Sequence, residues 1–248
     1  MERRLERYEF LTGLHEVLRP RTYLEVGLDD GHGLSLSHAK SIGVDPDYRI
    51  TRELRGEYLL ARRTSDEFFA GPEAAEFFAG IPLDLAFIDG MHHAEFAYRD
   101  FISIERLCGP GSVVVFDDML PRDPEEAARE RTTDDWTGDV YKVAGILRAL
   151  RPELAVIAVD TDPTGTLVVV GLDPASTTLA DAYEGLLPHL TSADPQVVST
   201  SILERTRAAN ARELLTWPGW RDLVALRTDP FAPDAAAGVA RRLAAAFG

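Results

Sequence analysis

A single cysteine, Cys108, stands in a chain of 248 residues, so neither an intramolecular disulfide nor a cysteine-based four-ligand zinc site can form. Positive charge is scarce as well: 26 Lys and Arg face 41 Asp and Glu, for a formal net charge of −15. Such a surface repels a phosphate backbone, which argues against nucleic acid as a partner. No stretch reaches the roughly 18–20 consecutive apolar residues that a membrane span needs. The N-terminal charges Glu2, Arg3, Arg4, Glu6 and Arg7 interrupt any apolar core of a secretory leader. Internal repeats and low-complexity linkers are absent too. These absences lead to the expectation of a cytoplasmic protein that acts on small molecules, away from membrane and nucleic acid.

What is present suits one sizeable core with additions, since 45% of the residues are hydrophobic and the length is short for two full domains. Leu5, Tyr8, Leu11, His15 and Leu18 fall at helical spacing and predict a leading helix within residues 1–20. Short apolar runs then recur at 22–27, 41–45, 57–62, 83–89, 112–117, 154–160 and 166–171, each closing on a polar, acidic or glycine-bearing turn. Several are continuously apolar, as strands covered on both faces are. Helical patterns separate most of them: Ala97, Phe101, Ile104 and Cys108 form one stripe, and Val143, Ile146, Leu147 and Leu150 another. Alternating strands and helices predict an α/β fold with a doubly wound, mostly parallel seven-stranded sheet over residues 21–173. Only residues 161–165 separate the last two strands, too few for a crossover helix, so these two should close the sheet as an antiparallel hairpin. From 174 to 248 the chain turns Ala- and Leu-rich, with helical stretches at 178–187, 196–215 and 233–247. This C-terminal helical extension is expected to pack on the sheet or on a second copy of the chain, the latter compatible with a homodimer; a substrate cover is the other reading.

The first chemical signal lies where the first strand turns into the first helix, in Glu25-Val26-Gly27-Leu28-Asp29-Asp30-Gly31-His32-Gly33. Glycines there let the backbone turn tightly against a ligand, and a helix start offers free N–H groups. The spacing is G-x-x-x-G-x-G, not the G-x-G-x-x-G of a dinucleotide fingerprint. This stretch resembles the class I S-adenosylmethionine-dependent methyltransferases, whose first motif reads acid-x-Gly-x-x-x-Gly, and a parallel sheet finished by a hairpin resembles their Rossmann-like fold. The resemblance implies S-adenosylmethionine as cofactor, with Glu25, Gly27 and Gly31 around it. Asp45, at the end of the second strand, is placed to accept both ribose hydroxyls. By the same resemblance Asp66 falls where the family contacts adenine, and Asp89 borders the cofactor as well.

A second constellation combines Phe87-Ile88-Asp89-Gly90-Met91-His92-His93 with Val115-Phe116-Asp117-Asp118. If the fourth and fifth strands are neighbours, about 4.8 Å apart, Asp89, Asp117 and Asp118 converge. Three carboxylates so close need a cation or a shared proton, and an all-oxygen set suits Mg²⁺ or a similar hard divalent ion. His92 is then positioned to take the proton of a substrate hydroxyl as its oxygen attacks a methyl group. His93 reads better as structural. From about Tyr23 to Leu172 these features resemble the metal-dependent sugar O-methyltransferases of antibiotic biosynthesis, the macrocin and mycinamicin type. Carried over, Asp89, Asp117 and Asp118 would be metal ligands, and His92 the general base. Gly33 departs from the Ser that such relatives often carry there. The polar loop 131–142 precedes a helix; Trp136 and Asp139 are its candidate substrate contacts, with Thr137 or Asp139 as a helix cap the competing reading. The expected activity is therefore metal-assisted O-methylation of a small polar acceptor, a sugar or natural product. A metal-independent methyltransferase, a nucleotide-binding oxidoreductase and a non-catalytic S-adenosylmethionine-binding protein are the alternatives.

Overall fold

A computed structural model describes residues 3–228 and 232–248. In chain order the elements are α1 (Arg7–Leu18), β1 (Thr22–Val26), α2 (His32–Ser35), β2 (Lys40–Val44), β3 (Glu57–Ala61), α3 (Ser65–Phe69), α4 (Glu73–Phe78), β4 (Leu83–Ile88), α5 (Ala94–Glu105), β5 (Cys108–Phe116), α6 (Lys142–Leu150), β6 (Ala155–Val159) and β7 (Thr166–Val170). They are followed by α7 (Thr178–Leu190), α8 (Thr200–Leu203), α9 (Ala211–Leu215), α10 (Trp220–Ala225) and α11 (Ala232–Phe247).

The seven strands form one sheet in the order β3-β2-β1-β4-β5-β7-β6. β1 to β5 are mutually parallel, and β7 runs antiparallel to both β5 and β6. This is the Rossmann-like methyltransferase arrangement: strand order reverses beside β1, which opens a crevice at the carboxyl ends, and the terminal hairpin closes the far edge. The expected hairpin is present, with its last strand inserted next to β5.

Period-two alternation divides the core between the two faces of the sheet. Leu24, Ala86, Ile88, Val114, Phe116, Leu167 and Val169 pack towards α3 to α7. Tyr23, Leu85, Phe87, Val113, Val115, Val168 and Val170 pack towards α1, α9, α10 and α11. The C-terminal stretch thus covers one face of the sheet. Leu214, Trp220, Leu223, Ala240 and Leu243 are buried there together with Phe10 and Leu14 of α1. The link from β1 to β2 contains only the single turn α2, so these helices, and not one from that link, cover this face. Two further details differ from expectation. The stretch 196–215 is broken into α8 and α9, with Arg205 in a left-handed conformation between them. α7 runs past Pro188 by two residues, which a proline near a helix end permits because few downstream hydrogen bonds remain to be lost.

Because α11 shares its core with α1 and the sheet, Leu243→Ala is expected to destabilise the whole domain by about 2–5 kcal/mol while urea unfolding stays a single transition. A sheet that unfolds at the wild-type urea concentration in this variant would show α11 to be an independent unit.

Candidate active site

The site begins with register. Val44, Val26, Ile88 and Phe116 lie side by side across β2, β1, β4 and β5. The next residue of each strand is therefore brought into one row along the sheet's carboxyl edge: Asp45, Gly27, Asp89 and Asp117. The ladder continues through them, with Gly27 N–H donating to Val44 O at 2.9 Å, Asp89 N–H to Val26 O at 2.8 Å and Asp117 N–H to Ile88 O at 3.0 Å. Gly27 has φ +87°, and a Cβ there would stand 1.9 Å from the Asp89 carbonyl. Only glycine lets the first loop pass so close to the loop leaving β4.

A cavity of about 650 Å³ opens over this row, within the range of small-molecule and cofactor sites. At one end Asp45 accepts the N–H of Leu28 at 2.7 Å and of Asp29 at 3.3 Å, which ties the glycine loop to β2. Asp66 also lines the cavity; Thr64, not Asp66, caps α3, and Arg99 grips the Asp66 carboxylate with two hydrogen bonds, at 2.9 and 2.6 Å. Glu25 does not reach the cavity. It is 2% exposed, accepts the Tyr23 hydroxyl at 2.6 Å, and occupies the space a side chain at Gly33 would need. Its part is to brace the glycine loop from beneath. Burial pushes its carboxyl up to about 8, against the Tyr23 and Leu34 hydrogen bonds that favour the charge. Gly31 forms the left-handed turn that starts α2 and packs against Ile50.

At the other end the acids crowd together. Burial raises the carboxyl of Asp89 well above its ordinary value, and the neighbouring Asp117 and Asp118 raise it further. Asp118 sits at φ +62°, a backbone conformation that aspartate tolerates better than most residues. Its Oδ1 accepts the Thr164 hydroxyl at 2.6 Å from the β6–β7 turn. His92 Nδ1 lies 2.7 Å from the Trp136 carbonyl, and a carbonyl can only accept, so Nδ1 carries a proton and Nε2 is the nitrogen turned to the acids. Nε2 is 3.3 Å from Asp118 Oδ2 and 3.8 Å from Asp89 Oδ1. A lone pair facing two carboxylates is repulsive unless a proton or a cation lies between them. Oxygen and nitrogen ligand atoms of Asp89, His92 and Asp118 lie within 4.8 Å of one another. Asp117 joins them around a second cavity of about 10 Å³, close to the room one water or ion occupies. Its Oδ2 is bound by Arg7 at 2.5 Å, while its Oδ1, like Asp118 Oδ2, is buried without a hydrogen-bond partner. Two orphaned carboxylate oxygens beside an ion-sized space fit a divalent cation.

Of the two substrate-side candidates, Trp136 lines the cavity, its ring stacked on His92 at 4.9 Å. Asp139 does not. It is wholly buried, bound by Arg129 at 2.7 Å and Lys142 at 2.6 Å, and accepts the Ala94 N–H at 2.8 Å. Its carboxylate therefore caps α5 and not the helix that follows it, and Thr137 bonds the Glu126 carbonyl instead of capping. Among the lining residues that sequence reasoning missed are Asp100, Arg7 and Tyr8; Thr164, which holds Asp118, is another. Asp100 shares the buried stripe of Ala97 and Ile104, and an acid on an apolar stripe was its available signal; burial pushes its carboxyl up to about 7. Arg7 and Tyr8 arrive from α1, and nothing in their local pattern announces it.

Residues 24–119 match the methyltransferase domain family. Among curated proteins the sequence has no match. Solved structures with similar folds include the O-methyltransferase of Bacillus cereus in complex with SAH, 16% identical over 65% of this chain and 78% of that one, with a TM-score of 0.45. Another is the O-methyltransferase TomG of Streptomyces achromogenes, involved in tomaymycin synthesis and in complex with SAM, 15% identical over 65% and 78%, with a TM-score of 0.46. The family match falls on the strands and loops that build the crevice, from β1 to the end of β5, and agrees with the Rossmann-like methyltransferase order of the sheet.

Folded, Glu25 keeps its proton up to about pH 8; unfolded, it ionises near the ordinary glutamate value. Between those limits the unfolded chain binds fewer protons, so this group makes stability fall as pH rises, and the loss ends above about pH 8. Glu25→Gln is expected to flatten that fall in urea unfolding followed from pH 5 to 8.5. Parallel curves for the two proteins would mean that Glu25 is charged in the folded state.

Proposed function

We propose that this methyltransferase transfers the methyl group of S-adenosylmethionine to a hydroxyl oxygen of a small, polar acceptor, a sugar or natural product, with a divalent cation bound beside it. The observation that carries the reading is the union, over one cavity, of a glycine loop at one end and the Asp89–His92–Asp118 cluster at the other. Asp89, Asp118 and the partnerless Oδ1 of Asp117 would hold the cation. When bound, the cofactor supplies an electrophilic methyl on a sulfonium, and the cation supplies Lewis acidity that makes a nearby hydroxyl easier to ionise.

The chain's own groups do the rest. Trp136 fixes His92 through the Nδ1–H bond and by stacking, so that Nε2 is the nitrogen aimed at the acceptor end. Nε2 there receives the proton of the acceptor hydroxyl, the general-base role that suits an imidazole at neutral pH. The row Asp45, Gly27, Asp89 and Asp117 fixes the spacing between cofactor and acceptor ends, so the reacting groups are held and not merely gathered. At the mouth stand Met91, Phe96 and Trp136 with Asp134, Asp135 and Arg131. Acids outnumber the single guanidinium there, which favours an acceptor without phosphate over a nucleotide-linked one.

Titration of metal-stripped protein with Mn²⁺ or Mg²⁺, followed by turnover of a hydroxyl acceptor, separates the roles. Asp118→Asn, which keeps the left-handed backbone accessible, is expected to weaken metal binding at least about tenfold. His92→Gln is expected to keep metal and S-adenosylmethionine affinity within a few-fold while turnover falls about 10²–10⁴-fold. Equal loss of metal binding in both variants would make the imidazole a ligand, not the base. Unchanged metal binding in Asp118→Asn would favour the metal-independent reading, in which Arg7 and a protonated His92 neutralise the acids.

A further inference from the structure

We infer that Arg7, delivered by the first turn of α1, binds the carboxylate of the cofactor's amino-acid portion and so completes a cofactor site that the glycine loop leaves open. This rests on the S-adenosylmethionine reading above. An S-adenosylmethionine molecule carries one carboxylate, and the charged groups lining the cavity are mostly acids: Asp29, Asp45, Asp66, Asp89, Asp100 and Asp118, with Asp134 and Asp135 at the mouth. Guanidinium or ammonium groups among the described lining residues are only Arg7 and Arg131. Arg131 lies at the mouth, on the loop that carries Trp136. Arg7 lies at the junction that matters, because it pairs with Asp117 while the next residue, Tyr8, stacks on His32 of the glycine loop at 4.0 Å. The guanidinium is thereby held between the glycine loop and the acid cluster, the interval that the amino-acid portion must cross if the nucleoside lies by Asp45 and Asp66 and the methyl group faces His92.

Two features make the placement a built one. Arg7 N–H donates to Asp162 O at 3.0 Å, and Asp162 N–H donates to Leu5 O at 2.8 Å, so the start of α1 is clamped to the β6–β7 turn. Among the described residues the guanidinium's hydrogen bond is the one Nη1 makes to Asp117, the guanidinium carbon lies 5.1 Å from the centre of the Tyr8 ring, and 29% of the side chain remains exposed. The other N–H groups keep their fork free for a second carboxylate, the geometry arginine recognises best. α2 is too short to do this by its own N-terminus, and Gly33 brings no side chain to the task.

The test compares ligands that differ in the group concerned. S-adenosylhomocysteine and its decarboxylated analogue 5′-deoxy-5′-(3-aminopropylthio)adenosine, which keeps the ammonium and lacks only the carboxylate, are titrated calorimetrically into the full chain and into Arg7→Ala and Arg7→Lys, with folding checked by thermal unfolding. Arg7→Ala is expected to weaken S-adenosylhomocysteine by about tenfold to a hundredfold and the decarboxylated analogue by less than about twofold, with partial recovery in Arg7→Lys. Equal weakening of both ligands, or of neither, overturns the assignment. If Arg7→Ala does not fold, the wild-type chain still decides: it must bind S-adenosylhomocysteine at least about tenfold more tightly than the decarboxylated analogue, and equal affinity overturns the proposal. A wild-type chain that binds none of these ligands overturns the cofactor reading itself.

Discussion

Three carboxylates in one poorly hydrated corner dominate this molecule. Burial, and then the neighbouring acids, raise the carboxyls of Asp89 and Asp117, and such a cluster persists only where surrounding structure compensates the charge. Each compensating contact comes from a different part of the chain. Arg7 reaches Asp117 from the leading helix, Thr164 reaches Asp118 from the terminal hairpin, and His92 is turned towards Asp118 by the Trp136 carbonyl. The N-terminal helix, the hairpin and the long loop after β5 are thereby joined at the point where the sheet's register brings the acids together. What remains without a hydrogen-bond partner is specific: Oδ1 of Asp117 and Oδ2 of Asp118, both beside an ion-sized space.

That demand explains an otherwise odd distribution of helices. A doubly wound sheet needs both faces covered, yet the β1–β2 link spends only one turn on helix. α1 takes the vacated position, and α9, α10 and α11 complete the layer. The arrangement puts α1 against the sheet near its carboxyl edge, where its first turn can enter the crevice. Far from the crevice, at the other end of the sheet, Asp84 is paired with Arg21 at 2.9 Å and with Arg227 at 3.2 Å, which locks the C-terminal layer to β4. The helical extension is part of the fold's core and not an accessory to it.

Much of this was legible in the sequence because it depends on local pattern. Seven apolar runs became seven strands, the five-residue link became a hairpin, and the prediction that β4 and β5 adjoin brought Asp89 and Asp118 together with His92. Failures follow from interactions that pattern does not encode. Glu25 and Asp139 look like ligand contacts because acids at strand ends and on polar loops usually face water. Here Tyr23 satisfies the first, and Arg129 with Lys142 the second, all through tertiary contacts. Arg7 is the converse: an ordinary surface cation by its neighbours in sequence, 110 positions away from Asp117, and visible as part of the site only once α1 is docked. The break of the 196–215 stretch has the same origin, since Arg205 leaves helix to bind Asp160 and the Thr161 carbonyl.

Asp139 then acquires a role that its burial explains better than substrate contact does. Arg129 bridges Asp139 to Glu95 and to the Leu190 carbonyl, and Lys142 ties it to Ser192. These bonds anchor the end of the loop to α5 and α7. One residue earlier, Gly138 passes so close to the His92 backbone that a Cβ would overlap its carbonyl, and two residues before that lies the carbonyl that sets the His92 tautomer. A buried ion pair is a poor source of net stability but a strong source of definition. In this position the definition it confers is that of the imidazole: the network holds the loop, the loop holds Nδ1–H, and Nε2 is left directed at the acids. The loop that shapes the acceptor mouth and the orientation of the proposed base are therefore one structural variable, and neither can shift without the other.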